Sequence, residues 1–471
     1  MKKYSITLLL LLAFFSSSFF SIAQSSPKQA RQNTSSVSRQ EARAAAAKND
    51  AEEAIRRYQQ AMAETPRDLS LDLEFAQFLA KTERYPKAIA VYRKALELAP
   101  RNEAGELGLV EVYQRMHNVD ETRTLLRDAR RHHPKSVSIL KALGSFEMEA
   151  ESSDAAIEAL RAAVALAPTD GSVRDMLGTA CLGKGDKEAA LRQIEKALTL
   201  DGADQLARLL RAQILADGGK NKEALADAEK AFEAHPDSLP VRRLLVKILI
   251  RLKQCARAAA ILRPAENPPA LSTEELFMLG NAYDCTGKTD LAKVARDDFV
   301  LASENDRRQA ENEVQSKHLY EQANELARRN KFSEALDFLK QALEKDPKNG
   351  FAYSQQAKIC FSMHETGKAR EAIERALEIQ PYQPDFLYVE GVIAESEGKD
   401  DEALAAFEEV AQINPKESDA YFEMGRIFMK REDRERALAA FRKAAELAPD
   451  DPDYKRALGE VIVPKKMKKK N

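Results

Sequence analysis

The chain contains no tryptophan among its 471 residues, only four cysteines, and a thin supply of strand-forming residues. The last point argues against a β architecture, while abundant Ala, Leu, Glu, Lys and Arg favours helix throughout. No charge of one sign dominates: 73 basic residues stand against 75 acidic ones, a formal net charge of −2. Such a balance supplies no global field to draw in nucleic acid. Four cysteines in a chain of this length are too few for a disulfide-built scaffold. Metal and nucleophile sites are equally poorly supplied. Of six histidines, His132 and His133 are adjacent and point to different sides of a helix, and His364-Glu365 lacks a second histidine four positions on. Two stretches imitate a phosphate-binding loop. Gly178 to Gly185 ends on glycine where Ser or Thr must ligate magnesium, and residues 282–289 begin with Ala282; neither follows a strand. No catalytic site, metal or cofactor is expected.

What is present is a period. Pro66, Pro100, Pro134, Pro168, Pro236, Pro347, Pro381, Pro415 and Pro449 fall on a 34-residue grid, the spacing of helix-turn-helix repeats. With proline at slot 32, repeats start at 35, 69, 103, 137, 171, 205, 239 and 273, then at 316, 350, 384 and 418. Slots that played no part in the alignment then agree. Slot 20 is alanine in every repeat but one, where Thr122 stands, and slot 27 is alanine except at Phe299 and Val410. Slot 8 is Gly or Ala in ten of twelve repeats, Gly144, Gly178 and Gly425 among them. Helices approach to about 8 Å only where side chains are small, so these slots mark close crossings. Larger residues at slots 11 and 24, such as Tyr113, Tyr92 and Phe441, fill the space beside them. Each helix, roughly 13 residues, is too short to stand alone and must be stabilised by stacking.

The small residue at slot 8, alanine at 20 and 27, aromatic residues at 24 and proline at 32 resemble the tetratricopeptide repeat family, with twelve repeats over residues 35–451. The family's slot-4 tryptophan is missing throughout, and Gly202, Ala270 and Glu304 replace the proline. The resemblance implies an all-α, right-handed α-solenoid whose first helices line a concave groove for extended peptides or partner helices. The organisation expected is eight repeats over 35–304, a helical insert or boundary at 305–315, four repeats over 316–451 and a capping helix over 452–463. Asp306 to Arg329, free of Gly and Pro and rich in charge, reads as one long helix, while Pro264, Pro268 and Pro269 shorten the second helix of the seventh repeat.

In this family slots 5 and 9 of the first helices face the partner. From the eighth repeat onward slot 5 turns mostly aromatic, with Phe277, Tyr320, Tyr388 and Phe422, whereas slot 9 carries Asn281, Asn324, Lys358 and Arg426. Amides can pair with both groups of a peptide bond, so these residues form the candidate partner groove for protein or extended peptide segments. Two alternatives stand beside it: the aromatics pack between repeats, or they stack on sugar rings and the module handles a polysaccharide. Cys181 and Cys360 occupy the core slot 11. Cys255 opens one helix and Cys285 closes another; in stacked antiparallel helices these ends share an edge, where either a disulfide closes or two thiols remain free.

The two ends carry address signals. Lys2 and Lys3 precede an apolar run from Ile6 to Phe20, and Ser21-Ile22-Ala23 then suits a signal peptidase. The expectation is a bacterial-type leader over 1–23, cleaved after Ala23, and an exported, periplasmic or secreted protein. The alternative is an uncleaved membrane anchor, which Ser16 to Ser18 weaken. Residues 24–34, rich in Ser, Gln and Asn, read as a disordered linker. The basic tail 464–471, with Lys465, Lys466, Lys468, Lys469 and Lys470, reads as a solubilising end, or more sharply as a weak contact to an anionic surface. The family resemblance and the leader together imply a non-enzymatic scaffold for protein–protein interaction in the cell envelope, similar to repeat proteins that serve assembly, secretion or polysaccharide export.

Overall fold

The computed structural model describes residues 27–263 and 271–462. The leader, the lysine tail and Pro264, Pro268 and Pro269 lie outside the described residues. All regular elements among those described are helices, and they form the stacked antiparallel pairs of an α-solenoid. A helix pair stands at every interval of the grid. We name the two members helix A and helix B and number the repeats as the grid does.

Three local devices hold the phase of the pairs. Slot 34, two residues after the proline position, caps the next helix A: the side chains of Asp68, Asn102, Ser136, Asp170, Asp204, Ser272 and Asn349 each accept a backbone N–H from the first turn. Slot 15 ends helix A in the left-handed region in every repeat. It is Gly185, Gly219, Gly287 and Gly398 in four repeats, and Asn49, Glu83, His117, Glu151, Lys253, Asn330, His364 and Glu432 in the others. Only glycine takes that conformation without a steric penalty. This is why Gly185 and Gly287 mimic a phosphate loop: they are turns. The alanines of slot 20 make the third device, and all of them are fully buried. Thr122 is buried too, its hydroxyl donating to the Asn118 carbonyl at 2.7 Å.

Small and large residues are matched across each pair. A Cβ added at Gly425 would lie 2.6 Å from the Phe441 ring, one at Gly144 would lie 2.5 Å from Leu160, and one at Gly178 would lie 2.8 Å from Ile194. Slot 8 is therefore small because slot 24 occupies its space.

The first helix runs from Pro27 to Ala47. Residues 27–34, read from composition as linker, are thus helical. Proline suits the first turn, and Lys, Gln, Ala and Arg propagate a helix already anchored by the buried Ser38, Ala42 and Ala45. The helix Cys255–Leu262 is eight residues long, where its counterparts have fourteen. Its first residue is joined to Cys285 by a disulfide, with the Cα atoms 5.9 Å apart. By chain entropy a bridge across 30 residues is worth about 3–4 kcal/mol, which offsets packing lost with the missing turns. Next comes a helix of 40 residues, Thr289–Arg328, serving as helix B of the eighth repeat and helix A of the ninth. At 1.5 Å per residue it is about 60 Å long. The gap in the grid at 305–315 lies inside it, and residues 304–315 are almost wholly exposed. A last helix, Pro452–Ile462, buries Tyr454 against the twelfth repeat, where its hydroxyl donates to Asp419.

The described residues divide into two compact units. One is His133–Ala403. The other unites the repeats before His133 with the residues from Leu404 onward. Within that second unit, the end of the helix Asp400–Ile413 is capped by residues far away in sequence. Tyr113 donates to the Gln412 carbonyl at 2.7 Å, Asn118 donates to that of Ile413 at 3.2 Å, and Arg93 bonds the Gln412 side chain at 3.1 Å. Lys416 pairs with Glu121 at 3.0 Å. Terminal carbonyls have no partner inside their own helix, and a cation beside them is favourable.

In the unit His133–Ala403, Asp175 is buried to 2% exposure beside Asp204, the cap of the following helix A. Burial, then a hydrogen bond to Asp204, then the charges of Asp204 and Asp170 push its carboxyl up to about 7. The fold thus favours the protonated form. Stability is full below the unfolded-state value near 4 and falls as pH rises to about 7. Asp175→Asn should match the parent in chemical denaturation at about pH 3.5 and exceed it by roughly 2 kcal/mol at pH 8. The packing of glycine is tested by a pair of changes. Gly425→Ala should lower stability by about 1–2 kcal/mol, despite a gain of about 1 kcal/mol in helix propensity, because the Phe441 ring cannot yield. Gly459→Ala, with nothing within 4 Å, should show only the gain, read as a raised melting temperature of the last helix.

Candidate functional site

The groove residues expected from slots 5 and 9 divide between the two units. Phe277, Asn281, Tyr320, Asn324, Lys358 and Tyr388 belong to the unit His133–Ala403, and Phe422 and Arg426 to the other. In the first unit Phe277 is half exposed and stacks obliquely on Phe299, the large residue at slot 27, at 5.5 Å. Tyr320 stands 6.4 Å from Phe351, and Phe351 meets the buried Phe386 edge-on at 5.2 Å. Tyr388 is half-buried, and Asn281 is exposed. In the second unit Phe422 lies between Phe441 at 5.6 Å and Tyr454 at 4.9 Å, with Arg426 beside it in an ion pair to Glu423. The rings thus spend much of their surface on neighbouring helices. Aromatic contacts at 4.5–7 Å stabilise such joints by about 0.5–1.5 kcal/mol beyond simple burial.

Asn324 and Lys358, by contrast, are brought together. They line one cavity of about 410 Å³, formed where helix A of the ninth repeat meets helix A of the tenth. Arg328, Asn330, Gln355 and Ser362 add polar groups, and Phe332 and Ile359 add an apolar wall. No carboxylate lines it. Asn324 Oδ1 is buried and has no hydrogen-bond partner within the fold. A buried amide oxygen left unpaired costs about 1–3 kcal/mol, a cost that a bound donor would relieve. The chemistry on offer is two cations, three amides and a hydroxyl around a small apolar patch.

A larger cavity, about 1440 Å³, lies in the other unit along the A helices of the first three repeats. Leu73 and Leu107 occupy slot 5 there, Gln77 and Glu111 occupy slot 9, and Tyr92 is part of the lining. The ring of Tyr92 occupies the place of a side chain at position 108: a Cβ on Gly108 would lie 2.2 Å from it. On one wall Glu74 accepts from Arg39 at 2.8 Å, Arg43 at 2.5 Å and Tyr58 at 3.0 Å. Burial raises the Glu74 carboxyl, but these hydrogen bonds outweigh it and hold it at about 2. The slot-5 leucines look like ordinary members of a mixed set in the sequence. The legible signal was Gly105 and Gly108 within one helix, at slots where the repeat asks for no glycine.

Among the described residues no three His, Cys, Asp or Glu side chains stand together as a metal site. Cys181 and Cys360 are buried free thiols, and burial raises both.

Two models of the tetratricopeptide repeat match the chain, one at residues 79–144 and 394–461, the other at 39–103, 176–238, 320–384 and 355–418. No curated protein matches it significantly. Among solved structures the chain is similar to the APC/C hetero-tetramer Cut9–Hcn1, with 15% identity and a TM-score of 0.36, covering 91% of this chain and 90% of that one. It is similar over 39% of its length to YrrB, described as a TPR protein with an unusual peptide-binding site, at 24% identity, 95% coverage of that chain and a TM-score of 0.32. MamA aligns at 22% identity over 35% of this chain and 90% of that one, with a TM-score of 0.31. With its repeating small-residue crossings, its helix pairs and the family-model matches at both ends and the middle, the chain belongs to the tetratricopeptide repeat family and is built as a protein-interaction scaffold.

Proposed function

We propose that this protein is an exported, non-enzymatic scaffold of the bacterial cell envelope that holds extended peptide segments of partner proteins on the faces of its A helices. The observation that carries the peptide reading is the cavity shared by Asn324 and Lys358, with the buried, unpartnered Asn324 Oδ1. A peptide N–H would satisfy that oxygen, while the amide N–H₂ of the same side chain can donate to the next carbonyl. Lys358 and Arg328, with no carboxylate among the lining residues, favour a segment carrying an acidic side chain or chain end. The larger cavity at Leu73 and Leu107 offers an apolar seat for a second anchor. Export is supported by Lys2, Lys3, the apolar run and Ser21-Ile22-Ala23. The Cys255–Cys285 disulfide agrees with an oxidising compartment.

Two measurements test the proposal. Tagged full-length protein should capture partner proteins from envelope fractions. Asn324→Ala with Lys358→Ala should reduce that capture roughly tenfold, the loss expected from two or three hydrogen bonds, with helicity by circular dichroism unchanged. Undiminished capture would remove this cavity from the function. The mature chain should show an N-terminal mass beginning at Gln24; a mass beginning at Met1 would leave the anchored alternative.

A further inference from the structure

A second surface lies on a helix B rather than a helix A. On the helix Thr289–Arg328, Leu291, Val294 and Leu301 are exposed by 46%, 56% and 60%. Their spacing puts them on one side of the helix, with Asp298 between Val294 and Leu301. That side comprises slots 19, 22, 26 and 29, turned away from the buried Ala292 and Ala295. Elsewhere these slots hold charged, amide, hydroxyl or alanine side chains, apart from Pro264 in the seventh repeat. The ninth repeat has Glu334, Asp337, Gln341 and Glu344. Only the eighth repeat places large aliphatic residues there. Each leaves about half or more of its surface in water, where burying apolar surface is favourable.

The stripe is edged by acid. Asp290, Asp297, Asp298 and Glu304 lie on or beside it; of the cations nearby, Lys293 stands on the same stretch, Arg296 is paired with Asp284 and Arg263 reaches Asp298 at 3.9 Å. A second copy of the chain docked here would bring the same carboxylates face to face, an unfavourable pairing. A partner with the opposite charge meets no such penalty.

We propose that this face docks an amphipathic helix of a partner protein, its apolar side set between Leu291, Val294 and Leu301 and its edges carrying Lys and Arg. Helix-on-helix packing then follows the usual ridge-and-groove geometry, and the basic edges meet Asp290, Asp297 and Glu304. The stripe shares no residue with the cavity at Asn324 and Lys358, so either reading can fail without the other.

The test uses the full-length, oxidised protein and a fluorescein-labelled synthetic helix of about 18 residues, with leucine on one face and lysine on its edges. Its counterpart carries glutamate in place of lysine. Fluorescence anisotropy should show binding of the lysine helix only. Leu291→Ser, Val294→Ser and Leu301→Ser together should weaken binding at least tenfold. Asp290→Lys, Asp297→Lys and Glu304→Lys, which leave the stripe intact, should transfer preference to the glutamate helix. The proposal is overturned if the lysine helix does not bind, or if it binds the serine variant and the parent equally. It is also overturned if sedimentation reveals a parent dimer that the serine variant dissolves, since the face then belongs to a second copy. Binding to phosphatidylglycerol vesicles that the serine variant loses would assign the stripe to a membrane instead, with the same consequence.

Discussion

Everything in this molecule depends on how closely two short helices can cross. Alanine at slot 20, with no accessible surface in any repeat where it stands, and the small residue at slot 8 let the backbones approach until the larger slot-24 side chains lock beside them. No helix of this length is stable in water by itself, so the crossing is what makes helix formation favourable. The same crossing is repeated along the chain, which makes stability a matter of neighbours and leaves the outer faces free to vary. Functional differences between repeats must therefore be sought at slots the crossing does not use.

Seen in this way, the eighth repeat is where several departures meet. The helix before it is cut to eight residues, and the disulfide between Cys255 and Cys285 ties the shortened element to the next helix A. The following helix does not stop at its expected turn but continues into the ninth repeat. Without Gly or Pro between Thr289 and Arg328, nothing halts the hydrogen-bond ladder. The same helix exposes the aliphatic stripe. A staple, a fused helix and an uncovered apolar face within one segment suggest that the repeat grid was relaxed there in favour of surface.

Much of this was legible in the residues themselves. Prolines at slot 32 and alanines at slots 20 and 27 fixed the pairs, and Asp306 to Arg329 announced a continuous helix. The site was less legible. Phe422 looked like a groove residue, yet in three dimensions it is engaged by Phe441 and Tyr454, because the closing helix lays Tyr454 across it. Asn324 and Lys358 came from the same reasoning and do share a cavity. Leu73 and Leu107 escaped it, since nothing at their slot marks the cavity they line together with Tyr92 and Gly108.

The sequence by itself determined the repeat, the core slots and the turns, because each rests on contacts between residues of one repeat or its immediate neighbour. A slot-8 glycine and its slot-24 partner lie within the same 34 residues, and a cap lies within one turn of the N–H it accepts. Only the tertiary structure decided that Tyr113, Arg93 and Asn118 cap a helix 295 to 319 residues away. Those contacts join repeats that are not neighbours in the chain, so no single slot encodes them.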